Sequence, residues 1–177
     1  QQGRNALRIE WQEERAFRFS SDEIFRHYAK LANEPGREVR NDGDALGELA
    51  RAETIIEAEY RYPYLAHAAM EPMNCVVHHQ GDRVEIWNGE QMQTVDQFRV
   101  ALLFGLRPDQ VTIHMLYAGG SFGRRANPDS DYLLEAAQIA KRLGRSVPVK
   151  LVWSREDDMQ AGGYRPLNLH RMRAVLD

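Results

Sequence analysis

The chain has 177 residues, 43% of them hydrophobic, which is enough to bury one sizeable core or two small ones. Its 23 basic and 26 acidic residues leave a formal net charge of -3, so there is no overall basic surface for nucleic acid. The longest apolar run is far shorter than the roughly 20 residues that cross a bilayer, and a single cysteine excludes an internal disulfide and a cysteine-ligated zinc or iron–sulfur centre.

The N-terminal part of the chain carries few signals of regular structure. Alternating apolar residues over 5–11 favour a short strand. Ser20 and Glu23 have the spacing of a capping box and predict the start of a helix, which ends before Pro35. Residues 36–51 are polar and predict a loop, which makes them the best linker candidate.

From Thr54 onward, strands alternate with helices. The predicted strands lie near residues 54–62, 74–79, 83–87, 110–117, 147–153 and 169–176. Helices that connect strands indicate an α+β domain, in which a mixed β-sheet has helices packed on it.

Two helices are predicted between these strands. One begins at Thr94, with a glutamine at the capping-box position, and ends at Gly105. The other begins at Asn127, which precedes a proline and an aspartate, and ends at Gly144. The residues predicted to face the core are Val95, Phe98, Ala101 and Leu102 in the first helix, and Leu133, Ala136, Ala137, Ala140 and Leu143 in the second.

A glycine-rich segment lies between a predicted strand and the second helix. Residues 119–125 read Gly-Gly-Ser-Phe-Gly-Arg-Arg. Glycine at three of five positions allows backbone N–H groups to converge on one point, and such a concavity binds anions. We expect an anion there to use the loop N–H groups together with Arg124 or Arg125. The alternative is a strand-to-helix turn whose two arginines are solvated.

Two further segments combine polar groups. Pro63 and Pro72 bracket irregular backbone that carries His67 and Glu71, the kind of position at which site residues lie; the alternative is a buried histidine and a solvated glutamate. The charged run over 153–159 predicts a solvated turn. The remaining histidines are scattered along the chain and support no metal site.

Four motifs, taken in order, resemble a known family. Residues 67–72 read His-Ala-Ala-Met-Glu-Pro, residues 84–87 read Val-Glu-Ile-Trp, the glycine-rich segment follows at 119–125, and residues 155–159 read Arg-Glu-Asp-Asp-Met. Together they are similar to the large, molybdopterin-binding subunit of the xanthine dehydrogenase/aldehyde oxidase molybdenum hydroxylases, and most similar to the isoquinoline 1-oxidoreductase beta-subunit branch. The resemblance implies the α+β molybdopterin-binding domain of that family.

The resemblance also implies a cofactor and site residues. The family binds molybdenum through molybdopterin, expected here in the cytosine dinucleotide form, and hydroxylates an aldehyde or an aromatic N-heterocycle with oxygen derived from water. The implied cofactor contacts are Gly119, Gly120, Ser121, Phe122, Gly123, Arg124 and Gln91, and the implied substrate-pocket residues are His67, Glu71, Tyr164 and Arg165. No side chain is expected to bind the metal directly.

The family resemblance further predicts that the chain is a piece of a larger enzyme. The catalytic glutamate of the family lies in a later segment, so no catalytic residue is assigned here and the isolated chain is expected to be inactive. Residues 1–50 would be the tail of a preceding hammerhead-like domain with a linker, and residues 51–177 the first part of the molybdopterin-binding domain. The implied partners are the remaining segments of the large subunit and a separate [2Fe–2S] subunit. Localisation stays open between the periplasm, by twin-arginine export, and the cytoplasm.

Departures from the family pattern limit the substrate and leave other functions open. Leu65 stands where xanthine dehydrogenases have a glutamine close to the metal, and Ala126 where they have a substrate-binding glutamate, so a purine-selective pocket is not expected. Ser121 replaces the middle glycine of the loop. Two other functions remain: a non-catalytic module that binds an anion or a phosphate through residues 119–125, and a purely structural domain in which these residues only form a turn.

Overall fold

The computed structural model describes residue 3 and residues 6–176, and the chain forms two compact units. The first unit comprises Gln1–Pro63 and Leu167–Asp177, and the second comprises Tyr64–Pro166. The predicted boundary after residue 50 refers to the domains of a longer family protein and stays a prediction.

Over residues 6–63 and 167–176, the first unit contains two helices and a two-stranded ribbon. Helix α1 spans Ser21–Leu31 and begins with the predicted capping box, in which the N-cap serine and a first-turn glutamate bind each other's backbone N–H. Helix α2 spans Ala45–Arg51. Strand β1, Ile56–Tyr62, pairs antiparallel with strand β6, Asn168–Ala174, and α1 packs against β6.

Two sequence predictions for this unit are wrong. Residues 6–11 form no strand and their apolar side chains are exposed, because no second strand pairs with them to create a buried face; residue 5 lies outside the described residues. Residues 36–51 include helix α2 rather than only a loop. The Asp44 side chain accepts from the Gly47 N–H at 3.0 Å and thereby caps the helix.

The second unit contains a four-stranded mixed sheet in the order β4–β3–β2–β5. The strands are β2, Asn74–His79; β3, Val84–Asn88; β4, Val111–Met115; and β5, Val149–Val152. Strands β3 and β4 are parallel, whereas β2 is antiparallel to both β3 and β5. The predicted class, a mixed sheet with helices packed on it, is confirmed, because the alternating apolar residues of each strand share one buried face.

Two longer helices cover this face. Helix α3, Gln93–Phe104, connects β3 to β4, and helix α4, Asp131–Leu143, precedes β5. Both end at the predicted glycines, Gly105 and Gly144, which adopt left-handed φ angles of 72° and 62°. The core that the helices share with the sheet consists of Met73, Cys75, Val77, Val84, Ile86, Val100, Ala101, Val111, Tyr132, Leu133, Ala136, Ala137, Ala140 and Trp153. Of the helices in the described part of the chain, none has the length and apolar character needed to cross a membrane.

The starts of these helices differ from the prediction. Helix α3 begins after Met92 and helix α4 after Ser130, and neither residue caps its helix with a side-chain hydrogen bond. The Asn127 side chain accepts from the Asp129 N–H at 2.7 Å, a local turn that competes with helix capping. Three side chains predicted to face the core are exposed, namely Phe98, Leu102 and Leu143. The spacing of apolar residues therefore predicted a wider buried face on each helix than the structure has.

The charged run predicted as a solvated turn is a helix. Helix α5 spans Arg155–Ala161 and begins with a capping box between Ser154 and Asp157. Asp158 is buried and faces the Arg124 guanidinium, with 3.5 Å between the closest atoms. The prediction of a solvated turn failed because this partner lies far away in the sequence.

Core packing is testable at Ile86, which is fully buried in β3. We expect Ile86→Ala to leave a cavity and lower the free energy of unfolding by about 2–5 kcal/mol. Ile9→Ala removes the same atoms from a side chain that is 58% exposed, and should change this free energy by less than about 0.5 kcal/mol. Urea unfolding of both variants measures the difference, and equal effects would contradict the assigned core.

Candidate functional site

The segment at residues 119–125, called here the glycine loop, has a strained backbone. Gly120 and Gly123 have φ angles of 92° and 95°, in the left-handed region that glycine adopts freely. Phe122 also has a positive φ, 56°, although its side chain is 72% exposed. A bulky residue held in this conformation without burial of its ring is typical of a functional segment rather than of a simple turn.

Gly119 is the point at which the glycine loop touches the segment that carries Glu71. Its N–H donates to Glu71 Oε2 at 2.7 Å, and its carbonyl accepts from the Glu71 N–H at 3.2 Å. A Cβ atom at residue 119 would lie 2.7 Å from Glu71 Cβ and 2.9 Å from Oε2. No side chain therefore fits at this position while the contact with Glu71 is kept.

The glycine loop also offers free backbone donors. Within the described residues, the N–H groups of residues 120–123 donate to no other group. The Ser121 hydroxyl donates to Gln91 Oε1 at 2.6 Å, so Gln91 lies beside the loop. The Arg124 N–H closes a turn onto the Ser121 carbonyl at 2.9 Å. Four consecutive N–H groups are therefore available to an anion or a polarised oxygen.

Arg124 lies inside the protein, with only 3% of its side chain exposed. Its guanidinium pairs with Asp131 at 2.7 Å and with Asp158 at 3.5 Å, and it lies over the Trp153 ring at 5.5 Å from the centre. The alternative of a turn with solvated arginines is therefore wrong. The reason is that the first turns of α4 and α5 present these two carboxylates to the loop, and they balance the charge of Arg124.

Arg125 is buried more deeply still, at 1% exposure, and links the glycine loop to strand β3. It donates to Glu71 Oε1 at 3.0 Å and to Asn88 Oδ1 at 3.2 Å. Hydrogen bonds from Asn74 and from the Gly119 N–H, together with Arg125, lower the pKa of Glu71 against the opposing effect of burial. Glu71 is therefore ionised at neutral pH and is the counter-charge of Arg125.

Asn88 connects this ion pair to a buried acidic pair that sequence reasoning missed. Glu90 and Asp96 are each 3% exposed. Asn88 Nδ2 donates to Glu90 Oε1 at 3.0 Å, and the Ser130 hydroxyl donates to Asp96. Burial, reinforced by the neighbouring Asp96, raises the pKa of Glu90 to about 8. One signal was available: strand alternation places Asn88 on the buried face of β3, where a polar side chain needs partners.

Three of the four predicted substrate-pocket residues, His67, Tyr164 and Arg165, line one cleft of about 380 Å³. Gly123 also lines this cleft, so the cleft borders the glycine loop. The fourth predicted residue, Glu71, is not part of the lining. The structure therefore brings the predicted residues together in two groups, one around the cleft and one around Gly119.

Local contacts hold the cleft residues in place. The Leu65 N–H donates to the Arg165 carbonyl at 3.3 Å, and the Arg165 N–H donates back to the Leu65 carbonyl at 2.9 Å. The Tyr164 hydroxyl donates to the Met159 carbonyl at 2.6 Å. Burial lowers the pKa of His67, and two nearby arginines act in the same direction, while a backbone contact with the residue 163 carbonyl opposes them. His67 is therefore a neutral hydrogen-bonding group at pH 7.

No direct metal site emerges from the side chains of residues 6–176. Within that range, no group of three histidine, cysteine, aspartate or glutamate residues is placed to hold a metal ion. Burial raises the pKa of the Cys75 thiol to about 12, which leaves it unreactive. The free donors of the glycine loop and the adjacent cleft are features that can receive a ligand.

Comparison with known proteins identifies the family. Residues 30–177 match the molybdopterin cofactor-binding domain family, and this range contains both the glycine loop and the cleft. The chain belongs to the molybdopterin cofactor-binding domain family. The resemblance inferred from the four motifs is thereby confirmed.

Curated relatives of this molybdopterin cofactor-binding domain are oxidoreductases or oxidoreductase subunits. The chain is similar to isoquinoline 1-oxidoreductase subunit beta of Brevundimonas diminuta, with 36% identity over 130 residues that cover 72% of this chain and 16% of that protein. It is similar to the aldehyde oxidoreductase molybdenum-binding subunit of Escherichia coli K12, with 32% identity over 152 residues that cover 84% and 20%. It is also similar to a membrane-bound, pyrroloquinoline-quinone aldehyde dehydrogenase of Gluconacetobacter polyoxogenes, with 30% identity over 175 residues that cover 98% and 22%. The chain thus spans between 16% and 22% of the length of these relatives.

Solved structures share the fold. Quinoline 2-oxidoreductase from Pseudomonas putida 86 matches 77% of this chain and 17% of that chain, with a TM-score of 0.62 and 19% identity. Aldehyde oxidoreductase from Desulfovibrio gigas matches 74% of this chain and 14% of that chain, with a TM-score of 0.58 and 25% identity. The α+β fold implied by the family resemblance is therefore confirmed.

The close approach at Gly119 predicts the effect of a single methyl group. Gly119→Ala should push Glu71 away from the loop and lower the free energy of unfolding by about 1–3 kcal/mol, because the Glu71 carboxylate loses the N–H bond. Gly36→Ala is the matched control, since an added Cβ there meets nothing within 4 Å. Thermal unfolding of both variants tests this, and equal stability of the two variants would contradict the contact.

The raised pKa of Glu90 predicts a pH dependence of stability. An exposed glutamate in the unfolded chain has a pKa of about 4.3, whereas the folded value is about 8. Between these values the folded state holds a proton that the unfolded state has released, so stability falls as the pH rises through this window. Glu90→Gln mimics the protonated carboxyl and should remove most of this fall, which is on the order of a few kcal/mol.

Thermal unfolding between pH 5 and pH 9 measures this dependence. The control is Glu34→Gln, which changes an exposed glutamate and should leave the slope of the native protein unchanged. A Glu90→Gln protein with the slope of the native protein would contradict the assigned proton.

Proposed function

We propose that this chain is part of the large subunit of a molybdenum hydroxylase, which oxidises an aldehyde or an aromatic N-heterocycle with oxygen derived from water and passes the electrons to a [2Fe–2S] subunit. The observation that carries the proposal is the glycine loop. It has four consecutive free N–H groups beside the strained, exposed Phe122, while its two arginines are bound to carboxylates inside the protein. The groups that the loop offers to a ligand are therefore backbone N–H donors and not arginine charges.

The loop residues fit a molybdopterin cofactor with its metal. A Cβ atom at Gly123 would meet only His67 Nε2, at 3.9 Å, so a ligand can approach the backbone closely there. The free N–H groups suit an oxygen ligand, and Gln91 lies beside Ser121 to add a side-chain amide. We assign the cytosine dinucleotide form to the cofactor on the resemblance to the isoquinoline branch. When bound, the cofactor supplies the two-electron redox chemistry.

The cleft beside the glycine loop is the proposed substrate site. Its volume of about 380 Å³ falls in the range of small-molecule sites, about 300–1,000 Å³. His67, neutral at pH 7, and Arg165 would bind polar atoms of the substrate, and Tyr164 would form part of the wall. Arg124 also lines the cleft, with its guanidinium already held by Asp131.

Catalysis requires more than this chain in the proposal. No residue of the chain is assigned as the catalytic base, and the chain spans only between 16% and 22% of the length of its curated relatives. We therefore propose that residues 1–177 alone are inactive and do not retain the cofactor. The ion pairs of Arg124 with Asp131 and of Arg125 with Glu71 favour this enzyme function over a phosphate-binding module, which would use an arginine whose charge no carboxylate balances.

Metal and pterin content test the proposal. We expect molybdenum and pterin in the complete polypeptide that carries residues 1–177, purified with its iron–sulfur partner, and in much smaller amounts in residues 1–177 produced alone. Elemental analysis and the fluorescence of the oxidised pterin measure the two contents. Absence of both from the correctly folded complete protein would overturn the enzyme function and favour the non-catalytic anion-binding module.

A further inference from the structure

The Glu71 carboxylate accepts hydrogen bonds from Asn74 and from both ends of the glycine loop, Gly119 and Arg125. Its Oε1 accepts from Asn74 Nδ2 at 2.6 Å and from Arg125 Nη2 at 3.0 Å. Its Oε2 accepts from the Gly119 N–H at 2.7 Å, and the backbone N–H of Glu71 donates to the Gly119 carbonyl at 3.2 Å. Glu71 therefore forms hydrogen bonds with the peptide groups on both sides of Gly119.

We propose that Glu71 is the positioning residue of the glycine loop, which acts through the Gly119 peptide to direct the free N–H groups of residues 120–123 toward their ligand. Glu71 is outside the cleft, so this role replaces its expected contact with substrate. The inference rests on the proposed function only for the identity of that ligand.

The contact between Glu71 and Gly119 is rigid because Glu71 is also bound to Arg125, which is buried in the core. Arg125 is 1% exposed and cannot leave its counter-charge without a large desolvation cost. Its guanidinium also donates to Asn88 of β3 and lies 6.0 Å from the centre of the Tyr132 ring in α4. The sheet and a packed helix thus set the position of the Glu71 carboxylate. The hydrogen bond from the Gly119 N–H to this carboxylate then sets the position of the Gly119 peptide.

The backbone conformation of the glycine loop explains why the Gly119 peptide must be held in place. Gly120 adopts a left-handed φ of 92°, and two further residues with positive φ follow within three positions. Such a segment makes few regular hydrogen bonds, and its direction depends on the peptide that precedes it. Because the Gly119 peptide is that entry point, a small rotation there would move every free N–H group of the loop.

Only a carboxylate at residue 71 can accept hydrogen bonds from Asn74, Arg125 and the Gly119 N–H together. Substitution of Glu71 by glutamine or aspartate therefore tests the proposal. In Glu71→Gln, the carbonyl oxygen will face Asn74 and Arg125, because that side offers two donors, one of them charged. The amide NH₂ then faces the Gly119 N–H, and two donors cannot bond. In Glu71→Asp the charge is kept, but the side chain is one methylene shorter and cannot span both sets of donors.

The test measures hydrogen exchange at the Gly119 amide in the complete polypeptide, together with molybdenum content per folded molecule. We expect exchange at least tenfold faster in Glu71→Gln, with at least twofold less molybdenum, while a peptide from β3 exchanges as in the native protein. Glu59→Gln is the matched control: this carboxylate accepts from two arginines, where Glu71 accepts from one, and its side chain is 29% exposed against 38% for Glu71. It should leave exchange at residue 119 unchanged.

The outcomes separate positioning from simple charge balance. If Glu71 only neutralised Arg125, Glu71→Asp would exchange at residue 119 at the native rate, and that result overturns the proposal. If Glu71→Gln fails to fold, seen as fast exchange in β3, the Asp variant alone decides in the same way. Absence of molybdenum from the native protein would overturn the proposed function, while the exchange rates would still decide the role of Glu71.

Discussion

Burial of two consecutive arginines at the end of the glycine loop is the constraint on which the site depends. A guanidinium removed from water requires a carboxylate and well-placed acceptors, and leaving it unpaired would cost several kcal/mol. Arg124 finds its partners in the first turns of α4 and α5, and Arg125 finds them in Glu71 and Asn88. These contacts join the loop to both helices and to the sheet.

This arrangement determines what the loop presents to a ligand. With both arginine charges balanced inside the protein, the accessible groups are backbone N–H donors, the Ser121–Gln91 pair and the exposed ring of Phe122. Fixed dipoles of this kind stabilise an oxygen ligand without reorganising, and glycine keeps the approach open. The neighbouring cleft adds a neutral histidine and an arginine. We propose that the chain binds its cofactor and substrate through the groups of this loop and cleft.

Regular elements were predicted well where the pattern was local and regular. The strands of the mixed sheet follow from period-two alternation, and the glycines that end α3 and α4 adopt the left-handed conformation that such ends require. Predictions failed where a distant partner decided the outcome. Residues 6–11 alternate but pair with no strand, and most of the charged run at 153–159 lies in helix α5, whose Asp158 faces Arg124. Asn127 was predicted to cap a helix and instead forms a turn.

The sequence by itself determined the family, because four motifs in one order specify it more tightly than any composition, and it located the loop and three residues that line the cleft, His67, Tyr164 and Arg165. The tertiary structure alone decided which side chains act together. Glu71 meets Gly119 and Arg125, from which it is separated by 48 and 54 positions, and only burial beside Asp96 raises the pKa of Glu90. Contacts across such separations arise from the packing of strands and helices. The spacing of residues within one segment of the sequence therefore cannot predict them.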